Sequence, residues 1–321
     1  MTQPRAVAEL LATAARHPQA EALRHKRRGV WRSWSWADVL SETEPLAEYL
    51  RAQGVGAGAV VALSGEYGPD LVLVAVAAAH VGAQALTVPS QPARPALAEW
   101  VALHRPSLAY LGLRGQVGAW RAALDRAGLS APLVVDAQLP WGHSGSAGFT
   151  PAGDLPFVPG TPSRATSDVL WIEEASDWAD GLSYILLAAA TGRTVAFPES
   201  RLAANRDRRE TQPVTIALSL SHHAALSADL AARLPTGRGV AAQLTAAALA
   251  AGRDGRPGWG RRWLLHRLRQ PFGLARLRDL IVVGADGDAA SDDLFAALGI
   301  PPAYAATPAG PRTASPGLVF A

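Results

Sequence analysis

Few side chains in this sequence cluster in ways that could bind a metal, move a proton or hold a phosphate. His222 and His223 are adjacent, Glu173, Glu174, Asp177 and Asp180 crowd around Trp171 and Trp178, and Asp286 and Asp288 follow an apolar run. Adjacent residues do not share a helix face, and no third ligand lies at a helical spacing from the histidine pair. The pair therefore reads as a helix N-terminus that meets solvent or a carbonyl. The acidic cluster reads as a solvated loop ahead of a helix. Asp286 and Asp288 sit beside Gly284 and Gly287, a natural turn. A turn past a strand end is also where open α/β sheets keep their ligand crevice, and both readings stand. There is no cysteine, which excludes thiolate chemistry and disulfides, and Lys26 is the sole lysine. No metal site is expected.

Composition narrows the class. The 321 residues are 49% hydrophobic, enough for a large core in two domains or one divided domain. The net charge of +3 is carried almost wholly by arginine, which suits a GC-rich bacterial genome. Acidic residues nearly match basic ones and no reading motif is present, so no nucleic-acid partner is expected. The N-terminus, MTQPRAVAELLATAARHPQ, has no apolar signal segment, and the Leu71–Ala79 run is too short to cross a bilayer. The expectation is a soluble, cytoplasmic protein.

The elements that must position these residues are organised around Val60 to Pro89. Val60–Leu63 reads as a buried strand and Ser64-Gly65 ends it. A helix capped by Asp70 runs to His80, Gly82 stops it, and Ala85–Val88 reads as a second strand. Strand, helix and strand within about 30 residues form a βαβ unit with parallel strands. The helix is apolar almost all round, so it needs a sheet on one side and more protein on the other.

Before this unit, Ala6–Arg16 is an amphipathic helix. Residues 22–36 form a hairpin turning at Arg28-Gly29, whose Trp31, Ser33, Trp34 and Trp36 mix exposed and covered positions. Ser35 with Asp38 suits a capping box for a helix reaching Gln53. After it come a helix over 95–104, a strand at 108–113, a helix over 117–127 and a strand at 133–135. The Gly/Pro-rich stretch 138–167 has no periodicity and reads as a loop or joint. The second half alternates strands at 169–172, 194–197, 214–218, 280–283 and 302–304 with helices over 178–191, 201–209, 221–234, 241–269 (broken near 255–260) and 291–298. Alternation of this kind predicts a doubly wound α/β fold. The run from Arg253 to Arg278 mixes eight arginines with Trp259, Trp263, Leu264 and Leu268. It reads as a solvated helix packed by its apolar side, and the other reading is a helix lying on an anionic membrane.

Taken in order, these segments resemble the N-terminal domain of the adenylate-forming (AMP-binding) enzymes, specifically long-chain acyl-CoA synthetases. Ala22–Lys26 with Trp34-Ser35-Trp36 is similar to the family's opening hairpin. Gly65-Glu66-Tyr67-Gly68-Pro69-Asp70 is similar to its "GENRPEW" turn, and Val81-Gly82-Ala83 to the "GA" that comes after the next helix. Gly192–Phe197 resembles "GATVYF", Gln212–Thr215 "RPTV", and Val283–Asp286 with Leu294–Pro301 "SGGAPL…FFxALGIP". The resemblance covers most of the chain. It implies two doubly wound parallel-sheet subdomains: residues 1–150, a joint at 151–167, and residues 168–321, without the family's C-terminal lid domain.

The resemblance also implies elements that this sequence lacks. The family cradles ATP phosphates in a "TSGTTGxPKG" loop, because a departing pyrophosphate needs backbone N–H groups and a cation. At that place this sequence has Gly160-Thr161-Pro162-Ser163-Arg164-Ala165-Thr166-Ser167, without a glycine cluster or lysine. The family's "YGxTE" is replaced by Tyr304-Ala305-Ala306-Thr307-Pro308, which removes the carboxylate that serves Mg²⁺. The sequence stops at Ala321, before the ribose-holding Asp and the lid with its lysine. Gly284, Ala285, Asp286 and Thr307 are the residues carried over as remnants of a nucleotide cleft. No catalytic residue is assigned, and ATP or AMP and CoA are implied only if the family activity is retained. The expectation is a catalytically degenerate acyl-CoA synthetase-like protein, a pseudoenzyme or a module binding an acyl or adenosine ligand or a protein partner. The alternatives are a fatty-acid or aryl-acid CoA ligase completed by a partner chain, and a membrane-peripheral protein acting through Arg261–Arg269.

Overall fold

The computed structural model describes residues 3–135, 149–157, 159–235, 237–253, 258–284 and 289–305. The chain opens with α1 (Gln3–Arg16), the hairpin β1 (Glu21–Arg27) and β2 (Val30–Ser35), and α2 (Trp36–Ala52). Arg28 and Gly29 both have positive φ, as a two-residue turn of this hand requires. Ser35 caps α2: its hydroxyl accepts from Asp38 N, and the Asp38 carboxylate accepts from Ser35 N. Trp31, Trp34 and Trp36 are all buried and Ser33 is half-buried, so none of these four is the exposed position expected among them. The hairpin is covered on both faces because it is not an isolated ribbon.

The βαβ unit comes next as β3 (Val60–Ser64), α3 (Pro69–His80) and β4 (Gln84–Thr87). After it come α4 (Arg94–His104), β5 (Leu108–Leu111), α5 (Val117–Arg126), β6 (Leu133–Val135) and β7 (Thr150–Pro151). These strands make a five-stranded parallel sheet in the order β4-β3-β5-β6-β7. Every residue of α3 from Pro69 to Ala78 is buried, with α1 and α2 packed against it. An all-apolar helix surface is satisfied only in such a sandwich. Asp70 does not cap α3, contrary to the sequence reading. Gly68 holds the N-cap position without a side-chain bond, and the Asp70 carboxylate instead accepts from the Arg27 guanidinium at the end of β1.

The remaining elements are β8 (Thr161–Pro162), β9 (Leu170–Trp171), α6 (Gly181–Ala190), β10 (Val195–Phe197), α7 (Ala204–Thr211), β11 (Thr215–Ser219), α8 (Leu220–Arg233), α9 (Val240–Arg253), α10 (Trp259–Arg269), β12 (Asp279–Val283), α11 (Ala289–Ala297) and β13 (Pro302–Ala305). They form an eight-stranded sheet ordered β13-β12-β11-β9-β10-β1-β2-β8. The N-terminal hairpin thus lies in the sheet of the second half: Leu23 stands opposite Val195 in a parallel pair. The 151–167 stretch read as loop contributes one residue to β7 and the edge strand β8. Helix α6 starts at Gly181, three residues later than expected, because Trp178 packs edge-on to Tyr67 at 6.4 Å instead of entering the helix.

Candidate functional site

The carboxyl ends of the parallel strands of the two sheets meet at one place. The turn after β3 is fastened there to the segment after β9. Gly65 N donates to Ser176 Oγ at 2.9 Å, Ser176 N to Gly65 O at 2.8 Å, and Tyr67 N to Glu174 O at 3.0 Å. The Tyr67 hydroxyl donates to Trp178 O at 2.7 Å. Gly65 has a φ of 155°, and a Cβ on it would lie 2.8 Å from Gly112 Cα, so this crossing of two backbones requires glycine.

A cleft of about 550 Å³ opens beside this joint, large enough for a drug-sized ligand. Its walls come from strand ends: His25 to Arg27 of β1, the Gly65–Gly68 turn, Ser90 after β4, Arg114 after β5 and Arg201 after β10. Burial, with Arg27 beside it, pushes the His25 imidazole down to about 4, so its ring is neutral at neutral pH. Burial raises the Glu66 carboxyl, whose oxygen accepts from Arg201 N at 3.0 Å. A second void, between Leu46, Tyr49, Val74 and Leu155, holds only about 10 Å³, no more than one water-sized sphere.

At the carboxyl ends of β9 and β11 the structure is filled by its own ion pairs. Glu173 is 3% exposed. It accepts from the Arg208 guanidinium, from Trp171 Nε1 at 2.6 Å, and faces His222 Nε2 at 2.8 Å. Burial alone would raise its carboxyl, but Arg208 and His222 outweigh it and hold the group at about 2. Glu174 is also buried and accepts from Ser219 N, the last residue of β11. The acidic cluster is therefore not the solvated loop expected of Glu173 and Glu174. The histidine pair does lie in the first turn of α8, but only His222 keeps some contact with solvent. His222 pairs with Glu173, and His223 is buried, stacked on Phe295 at 4.9 Å with Asp292 3.7 Å from its Nε2. Among the described residues no group of three His, Cys, Asp or Glu could hold a metal ion.

The stretch Gly160–Ser167 does not suit a triphosphate. Thr161 and Pro162 pair with Ser33 and Arg32 at the free side of β2, on the far edge of the eight-stranded sheet. Its carbonyls are already engaged: Arg32 Nη1 donates to Gly160 O at 3.0 Å and Arg24 donates to Arg164 O. The segment ends on the amino side of the sheet, where Ser167 O accepts from Val214 N at 2.9 Å just before β11. Gly160 is glycine because a Cβ would meet the Trp34 ring at 2.8 Å. The sole lysine cannot substitute for the missing cation. Lys26 Nζ donates to Asp207 Oδ1 at 3.0 Å and Glu210 Oε2 at 2.6 Å. Burial would lower its ammonium, but those hydrogen bonds outweigh it and raise it.

Of the residues expected at a nucleotide cleft, Gly284 closes β12 with its N–H donated to Ala305 O at 3.2 Å, and Leu220 fills the space beside its Cα. Ala285, Asp286, Asp288 and Thr307 lie outside the described residues. The sequence reading does not single out the cleft residues Arg114, Arg201 and Ser90. A signal for them exists, since each comes just after a strand of a parallel sheet, at its carboxyl end. Among the described residues no helix is long and apolar enough to cross a membrane.

A family model described as AMP-binding enzyme matches residues 10–138. The match covers less than half of the chain, and over that stretch the sequence is similar to the AMP-binding enzymes. The solved structures agree on the fold. It is similar to a Brucella canis acyl-CoA synthetase (17% identity, TM-score 0.64, covering 94% of this chain and 57% of that one). It is similar to an acetoacetyl-CoA synthetase from Streptomyces lividans (13% identity, TM-score 0.59, 94% and 51%). A third likeness is to the A-PCP didomain of a carboxylic acid reductase from Segniliparus rugosus in complex with AMP (11% identity, TM-score 0.65, 95% and 52%). The chain thus spans little more than half the length of these three. A search of the curated proteins by sequence found no match.

Proposed function

We propose that this adenylate-forming-type chain binds an acyl or adenosine-containing ligand in the cleft between its sheets and does not adenylate it. The observation that supports this reading most is the course of Gly160–Ser167. It lies along β2 with its carbonyls bound to arginines, where phosphate handling would need converging N–H groups and a cation. Arginine elsewhere is not an equivalent of the missing lysine at a tight phosphate site. The cleft itself is intact, and Arg114 and Arg201 give it cations at the rim.

Calorimetric titration with AMP and with a long-chain acyl-CoA tests the binding half. Saturable binding is expected, weakened about tenfold in Arg114→Ala or Arg201→Ala, as for loss of one charge-assisted hydrogen bond. Absence of binding by both probes, or binding untouched by both substitutions, overturns the assignment of the cleft.

A further inference from the structure

Six of the nine tryptophans in the described residues are buried and Trp100 is partly so; Trp259 and Trp263 are 89% and 62% exposed. Both lie on α10, four residues apart and so on one face. That outward face continues with Arg262, His266 and Arg267, while Leu265 is buried and Leu264 and Leu268 pack on the core beneath. The neighbouring α9 adds Val240 and Leu244, 73% and 56% exposed and also four apart. Two indoles and two aliphatic side chains left in water are an exception where the other described tryptophans are wholly or partly covered.

Charge decides which occupant this face suits. Between Val240 and Arg278 the sequence has eight arginines and one acidic residue, Asp254. Among the described residues neither Arg262 nor Arg267 has a carboxylate partner, and Arg267 bonds only the neutral Gln270 at 3.2 Å. A protein partner would require an unusually acidic surface, and a nucleic acid has no use for the aliphatic pair on α9. An anionic bilayer answers both features at once, taking indole rings at the headgroup level and arginines at the phosphate plane.

We propose that the outer face of α10, beside α9 with its exposed Val240 and Leu244, docks the protein peripherally on an anionic lipid surface. The contact needs both parts, because one short amphipathic helix is a weak anchor without the electrostatic attraction. The docking is independent of whether the intersheet cleft is filled.

Co-sedimentation with vesicles of phosphatidylglycerol in phosphatidylcholine, against vesicles of phosphatidylcholine alone, tests this. The intact protein should pellet with the anionic vesicles and not with the neutral ones. Arg262→Glu with Arg267→Glu should lower the partition coefficient about tenfold or more at low salt, each arginine near an anionic surface counting for several-fold. Trp259→Ser with Trp263→Ser should weaken binding at all salt concentrations and abolish a blue shift in tryptophan emission. All four side chains are exposed, so circular dichroism should be unchanged. Equal binding to neutral vesicles, no binding to anionic ones, or binding unaffected by both double variants would overturn the proposal. So would retention of the protein by DNA with no partition to vesicles.

Discussion

Two connecting segments of this molecule, Ser64–Gly68 and Gly160–Ser167, are built in opposite ways. The turn from Ser64 to Gly68 shares its backbone groups with Glu174 and Ser176, so it locks the two sheets together and leaves an open cleft beside the lock. The stretch from Gly160 to Ser167 gives its carbonyls to Arg24, Arg32 and Val214 and lies flat on an edge. Both contain a glycine forced by close approach, against Gly112 in the first and against the Trp34 ring in the second. Glycine and hydroxyl content alone therefore does not make a phosphate site. Converging N–H groups do, and the second segment is held along a strand instead of curling its backbone around a ligand.

The largest effect should come from the carboxyl end of the eight-stranded sheet. Glu173→Ala leaves the Arg208 guanidinium buried without its carboxylate and frees Trp171 Nε1, so about 3–5 kcal/mol of stability should be lost in urea unfolding. A loss under about 1 kcal/mol would mean that Glu173 is held for chemistry and not for the fold. Next comes Gly65→Ala, whose Cβ would press on Gly112 backbone. About 2–3 kcal/mol should be lost, and the cleft should lose ligand binding with it. Gly160→Ala meets the Trp34 side chain rather than backbone and should cost less than Gly65→Ala. The reverse order would contradict the contrast between the lock and the edge.

Acid should separate the two regions as well. The His25 ring has its folded pKa pushed from 6.5 down to about 4. Between those values the unfolded chain binds more protons, so the stability due to neutral His25 is present above pH 6.5 and lost as pH falls toward 4. Glu173, lowered from 4.5 to about 2, loses its contribution only below pH 4.5. The raised carboxyls of Asp70 and Glu174 act in the opposite sense, easing the loss as they protonate. The difference in unfolding free energy between wild type and His25→Gln should therefore vary from pH 6.5 to 4 and be flat above. The same difference for Glu173→Gln should vary below pH 4.5.

The smallest effect belongs to a feature legible in the sequence itself. Ser35→Ala should cost about 1 kcal/mol through loss of the α2 cap. The Arg28-Gly29 turn and the strands of the 60–87 unit are legible for the same reason, since their partners lie within a few residues or obey a simple period. Asp70 reads as a cap in the sequence because Arg27, its real partner, is 43 residues away. Glu173 reads as loop because Arg208 and His222 lie 35 and 49 residues further on. The hairpin at 21–35 gives no sign that it pairs with β10, because a strand edge carries no sequence record of its neighbour. The fold is thus readable from local pattern and family resemblance. The candidate site is not, because it is assembled from strand ends that only the topology brings together.

The proposed binding without adenylation is tested most directly by ATP–pyrophosphate exchange with fatty and aromatic acids. No exchange above the protein-free rate is expected for any acid, at protein concentrations where AMP or acyl-CoA binding is saturable. Acid-dependent exchange by the purified chain would contradict this, and would mean that Gly160–Ser167 leaves the β2 edge to hold phosphate.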